Sequence, residues 1–474
     1  MSDKSTQVGL KPEALGMASI VFFVVAAAAP LTAVVGAAPL AFGIGNGAGA
    51  PAAYIMAGLV YLIFAAGFTA MSRHVGSAGA FYVFVSKGLG KSWGGAAGAI
   101  TLLTYVEIQI AVYAFIGIVM SGIGESAGLS LPWWAWAGVC MIVVDFFATR
   151  HIEFSGKVLG ICMLGEVAVL LILDIAILLQ GGGPEGISFA SFTPGAVFST
   201  GLGISLLFAV ASFIGFEATV IFAEEAKNPR RTIPAATYVA VIAITIFYAF
   251  SAWCMVVAYG PSSIKEVANG DLSDLFMNTA GARVGNWLKV AMTALLITSL
   301  FAAALSFQNT ISRYLFALGR DGLLPKALGN AHPVHRSPKF ASHSYTVVAV
   351  VFVGISAVLS LDPYTILYSW LAAAAALSIL IVQILVCFAI LRFFNADQRG
   401  ATLWQSRLSP ILAIAGLGGF TLIALSNLSL LTGDESWRVW LVPLAIVILG
   451  VIGWWRSSQV ETDATNSLAS QVGE

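Results

Sequence analysis

Charged residues are scarce in this chain. Only 10% of its 474 residues are Asp, Glu, Lys or Arg, whereas 59% are hydrophobic; soluble proteins carry about 25% charged residues. So few charges cannot cover a water-facing surface around so much apolar matter, and most of the outer surface must therefore contact lipid. The composition excludes a string of soluble domains and predicts an integral membrane protein.

An excess of positive charge is also lacking, because 23 Lys and Arg residues balance 23 Asp and Glu residues. The chain has no surplus with which to neutralise a polyanion, so nucleic acid is excluded as a partner. Cysteines are few, and each lies singly in an apolar run without the spacing of a metal or redox motif. Neither a disulfide framework nor a zinc site is expected from Cys140, Cys162, Cys254 and Cys387.

The usual groups of an enzyme are missing from the apolar segments. All five histidines fall in predicted loops or at their edges. His332 and His335 have the spacing of two metal ligands, but a polar, proline-rich loop favours solvated side chains. No nucleophile with its base and no phosphate-binding loop occurs. We therefore expect no cofactor, no metal and no ATP hydrolysis, and an intramembrane enzyme is a distant alternative.

Twelve apolar runs are long enough to predict membrane-spanning helices, which need about 20 residues. The fourth is short and fits either a span or a half-buried core helix. We expect one membrane domain over residues 16–456, between tails at 1–15 and 457–474 whose polar parts are disordered. The runs are Gly16–Phe42, Pro51–Met71, Ser92–Gly122, Trp133–Ala148, Ser155–Leu179, Val197–Phe222, Ile233–Tyr259, Val284–Leu318, Tyr345–Leu361, Thr365–Phe394, Pro410–Leu431 and Trp437–Trp455.

The basic residues predict the orientation, because cytoplasmic loops collect Lys and Arg. With a cytoplasmic N-terminus, the external loops would hold only Lys265, Arg283, Lys289 and Arg438. All other basic residues would then lie on the cytoplasmic side. We therefore expect a multi-pass protein of the cell membrane with both termini in the cytoplasm.

Two of the predicted spans contain features that an ordinary lipid-facing helix avoids. The first contains Pro30, which removes an amide donor and clashes with the preceding turn. The sixth places Gly215 and Glu217 together in an apolar run. Non-helical backbone at membrane depth persists only where it is buried in protein or lines a wet cavity. Such breaks at positions one and six indicate a transporter with inverted repeats, although Pro and Gly are also common in ordinary membrane helices.

The sixth segment and its surroundings resemble a known family. Residues Ser212–Glu217, followed by Ala223–Arg231 and Ile233–Pro234, are similar to the signature of the amino acid-polyamine-organocation (APC) transporters; Ala78–Tyr82 and Gly319–Pro325 agree with it. The resemblance implies an all-α fold of five-plus-five inverted repeats with two additional C-terminal helices. The repeats would cover about residues 16–180 and 197–394, and the extra helices 410–455. It also implies proton-coupled or exchange transport of amino acids or amines across the lipid bilayer.

The resemblance also implies a substrate site at the two breaks, where half-helix ends offer free amides and carbonyls. This chain lacks the Gly-Ser-Gly type sequence of the first helix, and Pro30 has no N–H to offer a carboxylate. The position of the aromatic lid in some members corresponds to Ala211, so Phe216 or Phe307 would cover the substrate. The matching positions are Pro30, Leu31, Thr32 and Ala33 in the first helix and Ser212, Phe213, Ile214, Gly215 and Phe216 in the sixth.

Five acidic residues inside predicted spans are functional candidates, because a charge is costly in lipid. Glu166 falls where some proton-coupled members carry a cation-replacing lysine, so it is a candidate for proton coupling; the alternative is a protonated acid bonded to a neighbouring helix. Glu217 would either serve coupling or bond the freed backbone. Glu107 would either face the substrate and favour a cationic group or make a helix-packing hydrogen bond. Asp145, near Arg150, and Asp174 fit interfacial or paired residues.

These observations favour a secondary-active permease for an amino acid or small organic amine. It would be driven by protons and work by alternating access. The alternative within transport is an exchanger without net proton movement. A channel would need a polar ring from several helices, whereas the acidic residues here are scattered singly.

Overall fold

The computed structural model describes residues 28–75, 80–150, 156–221, 226–330, 338–433 and 435–472, together with residues 17, 20, 21, 24 and 25. Every long regular element within these ranges is a helix. The longer helices are α1 (Pro30–Gly43), α2 (Ala50–Ser72), α3 (Ala80–Leu89), α4 (Lys91–Ser126), α5 (Trp133–Thr149), α6 (Gly156–Leu179), α7 (Leu202–Ser212), α8 (Pro229–Tyr259), α9 (Ile264–Gly270), α10 (Leu275–Arg283), α11 (Asn286–Arg320), α12 (Lys339–Val358), α13 (Ser369–Ala396), α14 (Ser409–Leu425) and α15 (Leu441–Val472).

Short helical segments extend or connect these helices. Two π-helical turns lead directly into α13 and α14, and a 3₁₀ turn leads into each of α2 and α15. These short segments are Gly47–Gly49, Ala190–Phe192, Pro194–Val197, Ala218–Ile221, Lys326–Gly329, Pro363–Tyr368, Trp404–Leu408, Leu428–Thr432 and Trp437–Trp440.

Nine helices within the described ranges are long and apolar enough to cross a membrane. Three shorter apolar helices, α1, α5 and α7, lie where the sequence predicted the first, fourth and sixth spans. The described residues therefore form a nearly all-helical membrane protein, as predicted. The helices differ in how deeply they are buried. In the most apolar stretch of α4, 72% of the residues are buried, whereas in that of the span Trp437–Val460, which includes most of α15, only 17% are buried.

The predicted break in the first span is present. Helix α1 begins at Pro30, and the residue before it, Ala29, has a left-handed backbone with φ 45°. Proline suits the first position of a helix, where its missing N–H costs no hydrogen bond. A left-handed alanine is strained, so neighbouring packing must hold this bend. The break therefore starts a new helix inside the protein.

The predicted break in the sixth span is also present. Helix α7 ends at Ser212, residues 213–217 form turns, and the chain returns to helix at Ala218. Gly215 has φ 112°, a backbone conformation that residues with a side chain rarely adopt. Glycine at this position therefore permits the helix to unwind.

Three elements differ from the sequence-based expectation. The loop after the second span contains helix α3, and the connection between α8 and α11 contains α9 and α10. Residues 457–472, expected to be a disordered tail, continue α15 as helix. This stretch contains neither Pro nor Gly, so the helix propagates from the apolar segment before it. Ser457 also donates a hydrogen bond to the Lys91 carbonyl (2.9 Å).

The connection between α8 and α11 is bonded to the C-terminal end of α1. Lys265 Nζ donates to the Gly45 carbonyl (3.0 Å), and Asn269 Nδ2 donates to the Gly43 carbonyl (3.1 Å). A cation at a helix C-terminus is favourable because the last carbonyls are unpaired. Helix α9 therefore caps α1.

Candidate functional site

The two broken segments lie against each other. Ser205 on α7 donates to the Ala41 carbonyl (3.1 Å), and its hydroxyl accepts a hydrogen bond from the Asn46 amide (3.0 Å). A side chain at Gly201 would overlap the Gly45 carbonyl, so the backbones before α7 and after α1 touch. The fold thus brings the predicted first and sixth spans together.

The N-terminus of α1 is bonded to a buried carboxyl group. Oε2 of Glu166, on α6, accepts hydrogen bonds from the Leu31 amide (3.3 Å) and from the Ser299 hydroxyl (2.7 Å) of α11. Thr32 Oγ1 donates to the same Ser299 hydroxyl (3.0 Å). A helix N-terminus attracts negative charge, so Glu166 lies where an anion is electrostatically favoured.

The second break has its own carboxyl group. Oε2 of Glu217 accepts from the Gly215 amide (3.0 Å), which the unwinding has freed, and Oε1 accepts from the Tyr105 hydroxyl of α4. Glu217 is almost completely buried. This geometry matches the alternative in which the acid satisfies the freed backbone. It also joins the sixth-span break to α4.

The aromatic residues of the sixth span pack against α2. The ring of Phe213 lies 5.1 Å from that of Tyr61, and Phe216 lies 4.9 Å from Tyr61 and 6.1 Å from Phe64. Phe216 is fully buried in this cluster. The ring of Phe307, the other proposed lid, lies 6.1 Å from that of Tyr105.

The remaining predicted site residues are nearly inaccessible. Ser212 donates to the Phe208 carbonyl within its own helix (2.9 Å). Pro30, Ala33 and Ile214 are buried. The structure thus groups Leu31 and Thr32 with Glu166, and Gly215 with Glu217.

Glu107 faces α13. Its Oε2 accepts from the Ser378 hydroxyl (3.0 Å), and the residue is 9% exposed. This is the helix-packing hydrogen bond that the sequence left open as the alternative to a substrate contact.

Asp145 has a different neighbour from the one expected. The sequence placed it close to Arg150, but its Oδ1 accepts from the Ser342 hydroxyl (2.7 Å) and its Oδ2 contacts His343 Nδ1. Arg150 instead lies over the Phe146 ring, 4.1 Å from the ring centre. The separation of Asp145 and His343 along the chain explains why local sequence did not reveal the pair. Asp174 is fully buried, and its Oδ2 accepts from the Ser251 hydroxyl (2.6 Å).

A polar network that the sequence did not predict continues from this pair. Gln308 Nε2 donates to the Ser342 and Thr346 hydroxyls (2.9 Å each), while Gln308 Oε1 accepts from Gln109 Nε2 (3.0 Å). Gln109 also donates to the Tyr113 hydroxyl (2.7 Å). The polar stripe of the third span was visible in the sequence, but its partners on α11 and α12 were not. The network joins α4, α5, α11 and α12.

Some sequence-based candidates lie outside the described residues. They include His332 and His335, residues 1–15, and parts of two family motifs, at 78–79 and 223–225. Within the described ranges, no group of three or more His, Cys, Asp or Glu side chains is placed to hold a metal ion.

Apolar helices broken at membrane depth, with buried acids at the breaks, define the class of this protein as a membrane transporter. The amino acid permease family model matches residues 19–459. The chain therefore belongs to the amino acid permease family, which is a family of transporters and not of enzymes.

Three relatives illustrate the similarity. The chain is 24% identical to the glutamate/serine transporter AimA of Bacillus subtilis over 50% of its own length and 43% of the relative's. It is 24% identical to the branched-chain amino acid permease BcaP of Lactococcus lactis, covering 79% of the chain and 81% of the relative. It is also 24% identical to the aromatic amino acid transport protein AroP of Escherichia coli, covering 79% and 80%. The chain thus spans less than half of the first relative and about four-fifths of the other two.

Proposed function

We propose that this protein is a secondary-active permease for an amino acid, coupled to protons and working by alternating access in the cell membrane, with both termini in the cytoplasm. The family and the amino acid transport named for its relatives support the substrate class. The distribution of basic residues supports the orientation. The substrate would bind at the breaks of the first and sixth spans.

One observation carries the coupling proposal: Glu166 holds an amide at the N-terminus of α1. Pro30 has no N–H, and the Ala33 amide is already bonded to the Ala29 carbonyl (2.9 Å). Few amide donors therefore remain at the N-terminus of α1. The Leu31 amide is one of them, and it donates to Glu166. A substrate carboxylate that bound here would compete with Glu166 for it.

This competition links substrate to proton. A carboxylate substrate at α1 and an ionised Glu166 would repel each other, by about 4 kcal/mol at 4 Å separation and an effective dielectric constant near 20. Protonation of Glu166 removes that repulsion and weakens its hold on the Leu31 amide. Substrate and proton therefore bind together, and loss of the proton on the other side returns Glu166 to the amide and expels the substrate. Glu217 remains a second candidate for proton coupling, through its hydrogen bond to Tyr105.

A second candidate substrate is an organic amine without a carboxylate. Glu166 already occupies the Leu31 amide, so a ligand that needs no amide donor avoids the competition. Glu107 would add a partner for a positive charge if it turned from Ser378 toward the substrate.

The test is uptake into proteoliposomes that contain the purified protein. Uptake of labelled leucine, serine, glutamate and phenylalanine would be measured with and without an inward proton gradient. It would be compared with uptake of the amines that correspond to these amino acids without their α-carboxyl group. We expect accumulation of an amino acid that requires the gradient and does not require sodium. Uptake that needs internal substrate and ignores the gradient would support an exchanger, and dependence on sodium would refute proton coupling.

A further inference from the structure

One cavity of the structure has Glu166 on its wall. It has a volume of about 370 Å³ and is enclosed by α4, α5, α6 and α11. Val139 and Val143 on its wall are 51% and 38% exposed, so the cavity opens sideways on the apolar surface that would contact lipid. This opening is separate from the contact between α1 and α7.

The wall of this lateral cavity is mostly apolar, with Glu166 and Thr298 as its charged and hydroxyl-bearing residues. Ile116, Met120, Trp136 and Ile297 contribute hydrophobic surface, and Glu166 contributes a carboxyl group. Both hydrogen bonds that α1 and α11 donate to Glu166 fall on Oε2. Oε1 is therefore the oxygen available to a donor in the cavity.

We propose that the lateral cavity binds a lipophilic organic ammonium ion, with its cationic group at Glu166 and its apolar body between α5 and α11. The volume falls in the range of small-molecule sites, which combine apolar walls with a few polar groups. A carboxylate in apolar surroundings favours a cation that donates hydrogen bonds to it. An acyl chain, in contrast, gains nothing from a carboxyl group.

Such a ligand would act on transport through Glu166, which it would reach from the lateral cavity. By holding Glu166 ionised, it would block the protonation on which the proposed coupling depends. It would therefore inhibit transport without resembling the substrate. The inference goes beyond the proposed function, and its binding test does not require transport.

The test uses two native thiols. Cys140 and Cys162 line the cavity, whereas Cys254 and Cys387 are fully buried elsewhere and should stay unmodified while the protein is folded. Purified protein is treated with N-ethylmaleimide in the presence of 4-phenylbutylamine or its neutral analogue 4-phenylbutan-1-ol, and each cysteine is followed by mass spectrometry. We expect the amine to protect the cavity thiols at concentrations about tenfold below those of the alcohol. Glu166→Gln should remove this difference.

A matched pair of variants tests the location. Val143→Phe fills the cavity from its wall and should abolish protection by the amine. Ile142→Phe introduces the same side chain on the same helix at a lipid-facing position, 67% exposed and outside the cavity lining, and should not. Equal protection by amine and alcohol in the unmodified protein, or an advantage of the amine over the alcohol that survives Glu166→Gln, would overturn the proposal. Failure of uptake with intact thiol protection would refute the proposed function alone.

Discussion

Replacement of Glu166 by Gln tests the coupling proposal most directly. The substitution keeps the size of the side chain and one acceptor oxygen, so the Ser299 hydroxyl and the Leu31 amide can still be bonded. It removes the negative charge and the exchangeable proton. We therefore expect substrate binding to persist and proton-driven accumulation to stop.

The structure sets the size of the effect. Hydrogen bonds to a charged group contribute about 1.5–3 kcal/mol and neutral ones about 0.5–1.5, so weakening the bond from the Leu31 amide releases the α1 terminus by about 1 kcal/mol. The variant also lacks the repulsion between Glu166 and a substrate carboxylate. Even 1.4 kcal/mol of the combined gain corresponds to about tenfold in affinity. An amino acid should thus bind Glu166→Gln at least about tenfold more tightly at alkaline pH than it binds the unmodified protein.

Two measurements separate these consequences. Equilibrium binding of a labelled amino acid to the purified protein, at acidic and alkaline pH, should be pH-dependent in the unmodified protein and pH-independent in Glu166→Gln. Uptake into proteoliposomes should lose its dependence on the proton gradient while exchange continues. Glu166→Asp, which keeps the charge, is the control and should keep the pH dependence of binding.

The reasoning would be refuted by a Glu166→Gln protein that still accumulates substrate against its gradient when a pH difference is imposed. Weaker binding of amino acids by this variant at alkaline pH would show that Glu166 does not compete with the substrate carboxylate. A decarboxylated amine should show little of the alkaline gain, because it has no carboxylate to be repelled.

Three other substitutions test separate parts of the site. Gly215→Leu should abolish substrate binding by filling the sixth-span break, whereas Gly215→Ala, which costs roughly 1–3 kcal/mol of backbone strain, should lower the melting temperature and still bind; equal binding by both variants would contradict this placement. Glu107→Gln should weaken binding of a cationic substrate about tenfold and that of a neutral amino acid little. If cationic and neutral substrates compete with a labelled substrate equally well in the variant and the unmodified protein, Glu107 is a packing residue. Asp145→Asn should destabilise the detergent-solubilised protein by about 1–3 kcal/mol, measured as a lower melting temperature, while Glu125→Gln, an exposed acid at the end of α4, should not change it.

The breaks could be predicted because their causes are local. A proline inside an apolar run kinks or breaks a helix, and α1 begins at Pro30. Gly215 beside an acidic residue likewise indicated unwinding, and its positive φ shows why glycine is needed. Hydropathy located some helix boundaries closely, as at α5, which begins at the predicted Trp133, but α12 begins at Lys339 and not at the predicted Tyr345.

The partners of the buried acids could not be predicted, because they depend on the register between helices far apart in the chain. Nothing near Asp145 in the sequence indicates His343, and nothing near Glu107 indicates Ser378. The neighbouring Arg150 looked like a natural ion-pair partner, yet its side chain stacks on Phe146. Opposite charges close together in the sequence therefore do not suffice to predict an ion pair, because an aromatic ring can take the place of one partner and a distant helix can supply the other.

Hydrogen bonds between α9 and the C-terminal end of α1 tie two distant parts of the chain together, so we expect them to be displaced together. Asn269 donates to the carbonyl of Gly43, the last residue of α1, and Lys265 donates to the Gly45 carbonyl just beyond it, while Glu166 accepts from the Leu31 amide at the start of the helix. Helix α1 is therefore hydrogen-bonded at its N-terminus by α6 and at its C-terminal end by α9. A spectroscopic label on an exposed position of α9, such as Glu266, would report displacements of α1. It would do so without altering any residue at the breaks.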